Sequence, residues 1–517
     1  MRSFLVLALV GTLGFLVGCS NNGTPVGVPI TISLSPSSAS VNAGQTLNIV
    51  ATVSNDASNK GVSWTLSGVG SLTNSTTTSV TYNAPATVTS TSVATVVATS
   101  LASSTVTASL QITVSAAGSA TNVLPIVVNG GLFASTSPYL NAAFTSVQIC
   151  VPGTSTCQTI DNVLVDTGSS GLRLLASQIT IPLQPLTDSS GNTLNNCVNF
   201  LDGSYLWGLV EAADIVLAGE VASTTSIQSI GDPAAGTFTV PSNCSTGGTG
   251  TNEDTQARLG ANGILGVGPE PFDCGTICDP LAGGSPPEPF YYLCSSTSCS
   301  PSFVSCGTLC GDGAANQQVT NAVFNFPADN NGVIVELPAV TDVAVTVTGN
   351  LIFGIGTQSN NALPSTATVL NLNLAVGDVF TTNFNSEALT SSFIDSGSNG
   401  IFFPDGLPGS LSVCSSDASW YCPNTTTSLS ATNVGATGSP SNTVNFSVDN
   451  FETVTAANPG DFAFSNLAGP LGSGACSSSN MTACSFDWGL PFFYGRHVFT
   501  AIDGTTVGTT SGPFFAY

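Results

Sequence analysis

A short pattern occurs twice in this chain and limits its folding choices more than any other feature. The first copy is Asp166-Thr167-Gly168-Ser169-Ser170-Gly171-Leu172 and the second is Asp395-Ser396-Gly397-Ser398-Asn399-Gly400-Ile401. Each follows an apolar run, Val163-Leu164-Val165 and Phe393-Ile394. An apolar run that ends in Asp, a hydroxyl residue and Gly reads as a buried strand running into a tight turn, where Gly lets the backbone double back. Two such turns point to a two-lobed body that brings two carboxylates together.

Composition narrows the chemistry further. The 517 residues include only five Lys+Arg and one His, and the formal net charge is −24. A Ser-His-Asp or Cys-His enzyme needs an imidazole base, and His497 is the single candidate. A zinc site built on several His is excluded. The negative charge repels phosphate, so no nucleic-acid partner is expected. Carboxylates remain for acid–base work. They are also the groups whose protonation, at roughly pH 3–4, would relieve most of the net charge.

The N-terminus reads as an export signal. Met1-Arg2 precedes an apolar run from Phe4 to Val17, which ends at Leu16-Val17-Gly18-Cys19. This resembles the lipobox of bacterial lipoproteins and implies cleavage before Cys19 and lipid attachment to it. Ser20 follows rather than Asp, which by the same resemblance favours the outer membrane. The expected division is a signal peptide at 1–18, a tether at 19–27, a β-sandwich at 28–115, a linker at 116–123 and two β lobes at 124–340 and 341–517. Fifteen Cys occur, and setting Cys19 aside leaves an even number, as disulfides in an oxidising compartment require. Pairs 150/157, 414/422 and 476/484 are near in sequence, and Cys197 and Cys244 flank one segment. Six more crowd residues 274–310. Cys274/Cys278 and Cys306/Cys310 have a faint metal-like spacing, but disulfides are favoured and no metal or cofactor is expected.

Residues 28–115 alternate apolar and polar residues in short runs such as Leu47-Asn48-Ile49-Val50-Ala51-Thr52-Val53. With Pro36, Val41 and Gly44 at their opening, they resemble bacterial Ig-like domains. Trp64 is the expected core anchor, and a spacer role is favoured over carbohydrate binding. From Leu124 onward period-two patterning continues with almost no helical periodicity, so the whole chain is expected to be all-β.

The paired Asp motifs resemble the active-site signature of the pepsin-like aspartic proteases. That resemblance covers most of residues 124–517, weakly outside a few motifs. It implies an all-β architecture of an Ig-like sandwich followed by a bilobal double-β-barrel. Asp166 and Asp395 would be catalytic. Thr167 and Ser396 would lock the two loops, Gly168 and Gly397 would form the turns, and Ser169 and Ser398 would hydrogen-bond the outer carboxylate oxygens. Asn262-Gly263-Ile264-Leu265-Gly266-Val267-Gly268 matches the family's apolar-Gly strand in lobe one, and Trp488-Gly489 opens a looser match in lobe two. The flap is expected near Phe200-Leu201-Asp202-Gly203-Ser204-Tyr205-Leu206-Trp207, with Phe200, Tyr205 and Trp207 as candidates. Gly171-Leu172-Arg173 departs from the family, which usually has a polar residue, Leu and Trp there. The implied function is a surface-anchored, monomeric endopeptidase that acts on extended peptides in acid. The alternative is a non-catalytic binding protein or adhesin on the same fold.

Overall fold

The computed structural model describes residues 29–517 except 36–38, 43–45, 86–91, 116–121, 201, 232–239, 246–247, 280–289, 297, 308–314, 374–376, 378, 408, 410 and 474–483. The signal peptide, Cys19, the tether, most of the linker and Cys476 therefore lie outside the described residues. The protein is all-β, with short α-helices at Gln256–Leu259 and Phe451–Ala457. No helix among the described residues is long and apolar enough to cross a membrane. The chain divides into two compact units, Met1–Ser119 and Ala120–Tyr517.

The first unit is a sandwich of two four-stranded sheets. Thr46–Ser54 is central in one sheet, between Thr31–Ser35 and Ser79–Asn83. In the other, Thr107–Ser115 pairs antiparallel with Ser92–Ser100 and parallel with Ala39–Asn42. Period-two alternation sends Ile49, Val80, Val96, Leu110 and Ile112 inward, where each is fully buried. The fully buried aromatic is Tyr82, whose hydroxyl donates to the Val69 carbonyl at 2.9 Å. The expected anchor Trp64 is only partly buried and lies against the edge of this core. Its indole N–H donates to the Thr76 carbonyl at 2.8 Å, and that wet bond holds the ring at the rim.

In the second unit, a 16-stranded sheet runs through lobe one and into a shared middle. There Val123–Gly130 pairs with Val347–Phe353, and Gly332–Leu337 lies between Val347–Phe353 and Arg496–Ala501. Chain from both ends of the unit thus builds one layer, and Gly332–Leu337 belongs to it rather than to one lobe. A separate seven-stranded sheet forms lobe two. One apolar core joins the two, with Val165 and Leu265 from lobe one and Ile394 and Trp488 from lobe two.

Disulfides close 150–157, 197–244, 274–278, 294–299 and 414–422. Cys306 and Cys484 are disulfide-bonded as well. Such dense cross-linking belongs to an oxidising, extracytoplasmic compartment. The Cys274/Cys278 spacing is thereby a small disulfide loop.

Candidate active site

Each Asp loop is built by the same local scheme. In lobe one, strand Tyr139–Cys150 pairs antiparallel with Cys157–Asp166, which runs parallel to Gly263–Val267 and sets Asp166 beside Gly266. The chain then turns and returns as Ser170–Leu175 along the other side of Gly263–Val267. In lobe two, Glu387–Ile394 runs parallel to Asp487–Trp488, and Ile401–Asp405 returns antiparallel to it. The end of the lobe-one strand, Val163-Leu164-Val165-Asp166, is buried on both faces, which accounts for its unbroken apolar run, whereas in lobe two Ile394 is buried and Phe393 is only partly so.

The turns meet tip to tip. Thr167 and Ser396 are fully buried and exchange bonds across the loops. Thr167 Oγ1 donates to the Ile394 carbonyl at 3.0 Å and accepts from Ser396 N–H at 2.9 Å. Ser396 Oγ donates to the Val165 carbonyl at 2.8 Å and accepts from Thr167 N–H at 3.1 Å. Four buried bonds thus tie the two lobes at their closest approach.

The carboxylates are held with matching symmetry. Gly168 N–H donates to Asp166 Oδ1 at 2.8 Å, and Gly397 N–H donates to Asp395 Oδ1 at 2.7 Å. Ser169 Oγ donates to Asp166 Oδ2, and Ser398 Oγ donates to Asp395 Oδ2 at 2.9 Å. The two glycines are required by crowding. A Cβ on Gly168 would lie 2.5 Å from Asp395 Cγ, and one on Gly397 would lie 2.7 Å from Asp166 Oδ1. The same Gly397 point is 3.1 Å from Asp395 Oδ1, so oxygens of both carboxyls crowd one spot. Burial first, then the Asp166 charge, the Asp487 charge and a hydrogen bond to Asp166, push the Asp395 carboxyl well above the usual carboxylate range. Burial beside a second carboxyl thus favours the protonated form of Asp395.

Over lobe one, Thr193–Asn199 and Tyr205–Leu217 form a hairpin whose turn is closed by Phe200 N–H to the Ser204 carbonyl at 2.9 Å. The three flap candidates separate here. Tyr205 and Trp207, two residues apart on one strand, share a face and pack with Cys197, Cys244 and Tyr292. Trp207 meets Tyr292 edge to face at 5.2 Å, and the charges acting on the Tyr205 hydroxyl are those of Asp254 and Arg258. Phe200 packs instead against the cluster of Phe144, Leu206 and Ile264, and Tyr139 packs against that cluster too.

Tyr139 is the residue that sequence reasoning missed. Burial chiefly, then the charges of Asp395, Asp166 and Asp202, raise its hydroxyl so far that it stays protonated. It therefore sits within electrostatic reach of both carboxylates and of the hairpin turn. It enters from the first strand of the lobe, and only its place at the start of an alternating run could have marked it.

Arg173 is buried behind the first loop, 1% exposed. Its guanidinium donates to Asn196 Oδ1 at 2.8 Å, to Gln228 Oε1 at 3.1 Å and to the Ser170 carbonyl at 3.2 Å, and it pairs with Asp273 at 3.2 Å. It braces the Asp166 loop against the hairpin strand, a task for which the guanidinium fork is suited. His497 lies in the shared sheet, largely exposed, with Nε2 3.2 Å from Glu336 Oε1.

Residues 118–517 match the family described as "Protein of unknown function (DUF3443)". The chain belongs to the DUF3443 family. No curated protein matches it. Among solved structures, a DUF4784 family protein from Bacteroides caccae is 6% identical, covering 41% of this chain, with a TM-score of 0.13. The match spans 58% of that protein's length, less than two thirds, and a likeness this slight carries no argument about fold or activity.

Proposed function

We infer that the second unit is a pepsin-like aspartic endopeptidase that hydrolyses peptide bonds in acid. The observation that carries the reading is the pair Asp166 and Asp395, hydrogen-bonded to each other and each fixed by a glycine N–H and a serine hydroxyl. With the shared proton favouring Asp395, the partner carboxylate takes a proton from a water held between them. The water oxygen attacks the scissile carbonyl carbon as Asp395 gives its proton to the carbonyl oxygen. The tetrahedral intermediate then collapses, and the amide nitrogen leaves with a proton from the pair. No covalent intermediate forms. Tyr139, held as a neutral donor near both carboxylates, would orient the substrate carbonyl. An extended peptide would enter by backbone pairing along the cleft beneath the 193–217 hairpin.

The export signal and the Leu16-Val17-Gly18-Cys19 segment support a lipid anchor on the outer membrane, with the Ig-like unit as a spacer. Cys19→Ala should then release the protein from membranes, and an unchanged membrane partition without lipid on Cys19 by mass spectrometry would refute the anchor.

Hydrolysis of an unfolded protein in acid tests the enzyme. Asp166→Asn and Asp395→Asn should each lower kcat by about 10³-fold or more while circular dichroism stays unchanged. A transition-state-mimicking inhibitor should block the wild type. Wild-type rates in either variant would remove the coupled pair from the mechanism. A wild type that binds extended peptide without cleaving it would make this a binding protein on the same fold.

A further inference from the structure

The two Asp loops are held in the same places by different means. Each Asp is followed three residues on by a serine whose carbonyl accepts a backbone N–H, from Gly268 to Ser169 at 2.8 Å and from Leu490 to Ser398 at 2.7 Å. One residue further, each loop presents a carbonyl to a buried polar side chain. In lobe one the Ser170 carbonyl accepts from Arg173 Nη2 at 3.2 Å. In lobe two the Asn399 carbonyl accepts from Asn141 Nδ2 at 3.0 Å. Arg173 lies on Ser170–Leu175, the strand its own loop leads into. Asn141 lies on Tyr139–Cys150, a strand of the other lobe.

A break in strand pairing sends Asn141 across. Tyr139 stands opposite Gly130 and Ala143 opposite Val128, so Leu140, Asn141 and Ala142 face Asn129 alone. The extra residues form a bulge, and Asn141 sits in it at φ 48°, a left-handed conformation that Asn tolerates. Its backbone N–H donates to the Phe462 carbonyl at 2.8 Å. Its side chain is fully buried, and each of its donors and lone pairs has a partner. Nδ2 donates to the carbonyls of Asn399 and Phe464, at 3.0 and 2.9 Å. Oδ1 accepts from the Phe464 N–H at 2.7 Å and from the Tyr494 hydroxyl at 2.9 Å. Carbonyls only accept and the Phe464 N–H only donates, so the amide has one orientation. Leu140, beside it, packs into the lobe-two cluster of Trp420 and Phe464.

We propose that Asn141 is a positioning residue for peptide hydrolysis: reaching from lobe one, it fixes the Asn399 carbonyl and thereby sets the Asp395 loop against Asp166. This rests on the Asp166–Asp395 pair being the catalytic centre. The Thr167–Ser396 lock ties the loops at one point, and a single tie leaves the loop free to rock about it. Asn141 adds a second tie from the same lobe, three residues on. Between the two ties lie Gly397 and Ser398, which hold the oxygens of Asp395 at 2.7 and 2.9 Å. Rocking would move that carboxyl against Asp166, and a misplacement of about 1 Å costs a reaction about 10²-fold.

The test compares the full chain with three variants on an extended peptide taken from a protein that the wild type cleaves in acid, each below its melting temperature. Asn141→Gly suits the left-handed backbone and removes the side chain. Asn141→Ser is milder, and its Oγ takes the place of Asn141 Cγ, one bond short of Asn399. Tyr494→Phe breaks the bond on Oδ1 and leaves the Asn399 bond in place. Both Asn141 variants should lower kcat by about tenfold or more with KM alike, while Tyr494→Phe stays within about twofold of the wild type. A role in stability alone would not separate them in this way. Wild-type kcat in a folded Asn141 variant would overturn the proposal. So would a kcat loss in Tyr494→Phe as large as in the Asn141 variants, or a loss confined to KM. If Asn141→Gly does not fold, Asn141→Ser decides. If the wild type cleaves nothing, the catalytic reading fails and this inference falls with it, whereas a cleaving wild type matched by its Asn141 variants overturns the inference alone.

Discussion

The loops around Asp166 and Asp395 are alike where they touch each other and unlike behind. At the contact, every bond has its mirror image: Thr167 with Ser396, Gly168 with Gly397, Ser169 with Ser398. One layer back, lobe one places Arg173 where lobe two places Phe402, and Ile264 where lobe two places Asp487. Arg173 is held by a buried ion pair, while Phe402 leans on Trp420 at 5.7 Å. Contact across a pseudo-twofold axis demands matched chemistry, because each loop is the other's partner. Support from within a lobe demands only that the loop be held, and a charge network or an aromatic cluster can do that.

The largest expected effect probes the unlike supports. Arg173→Leu leaves Asp273 buried without its cation and should cost about 3–5 kcal/mol in urea unfolding. Phe402→Leu keeps an apolar contact and should cost about 1–2 kcal/mol. Equal costs would break the distinction between a charged and an apolar brace. Replacing both partners, as in Arg173→Leu with Asp273→Leu, should recover much of the loss.

The matched contact comes next. Thr167→Val and Ser396→Ala each remove a hydroxyl that makes two buried bonds, and each should cost about 1–3 kcal/mol. The double variant should cost less than the two together, because both act on one shared network. Unequal single costs, or strict additivity, would mean that the lock is not symmetric in energy.

The smallest effect sharpens the asymmetry at Asp487. Asp395 and Asp487 both have folded-state values raised above 3.8. A raised carboxyl binds its proton more tightly when folded, so its stabilisation is full below about pH 3.8 and is lost as pH rises through the folded value. The melting temperature should therefore fall from acid toward neutral pH, by about 1 kcal/mol of stability per pH unit while one such group titrates. Asp487→Asn should flatten that slope, and Ile264→Val in lobe one should leave it unchanged. A slope that survives Asp487→Asn intact would assign the pH dependence elsewhere.

The legible parts were those written in neighbouring residues. Asp166-Thr167-Gly168 and Asp395-Ser396-Gly397 announce strand, turn and carboxylate within a few positions, since a tight turn after a buried strand is a local requirement. The alternation of residues 46–54 and 107–115 likewise announces a sandwich. The flap was legible only as a hairpin. Period two puts Tyr205 and Trp207 on one face, and what that face packs against, the Cys197–Cys244 cluster, comes from residues far along the chain. Trp64 departs from its expected place for a related reason: its size argues for the core, while its indole N–H finds the Thr76 carbonyl at the rim.

By itself, the sequence determined that this DUF3443 chain is all-β, that it repeats an Asp turn, and that carboxylates must do whatever acid–base work it does. Those follow from periodicity, spacing and a near absence of His, Lys and Arg. Tertiary structure alone decided that Tyr139 lies in reach of both carboxylates, that Arg173 pairs with Asp273, and that Asp487 stands behind Ser398. Each of these joins residues far apart in the chain through strand pairings, and the burial that changes their chemistry exists only once those strands have met.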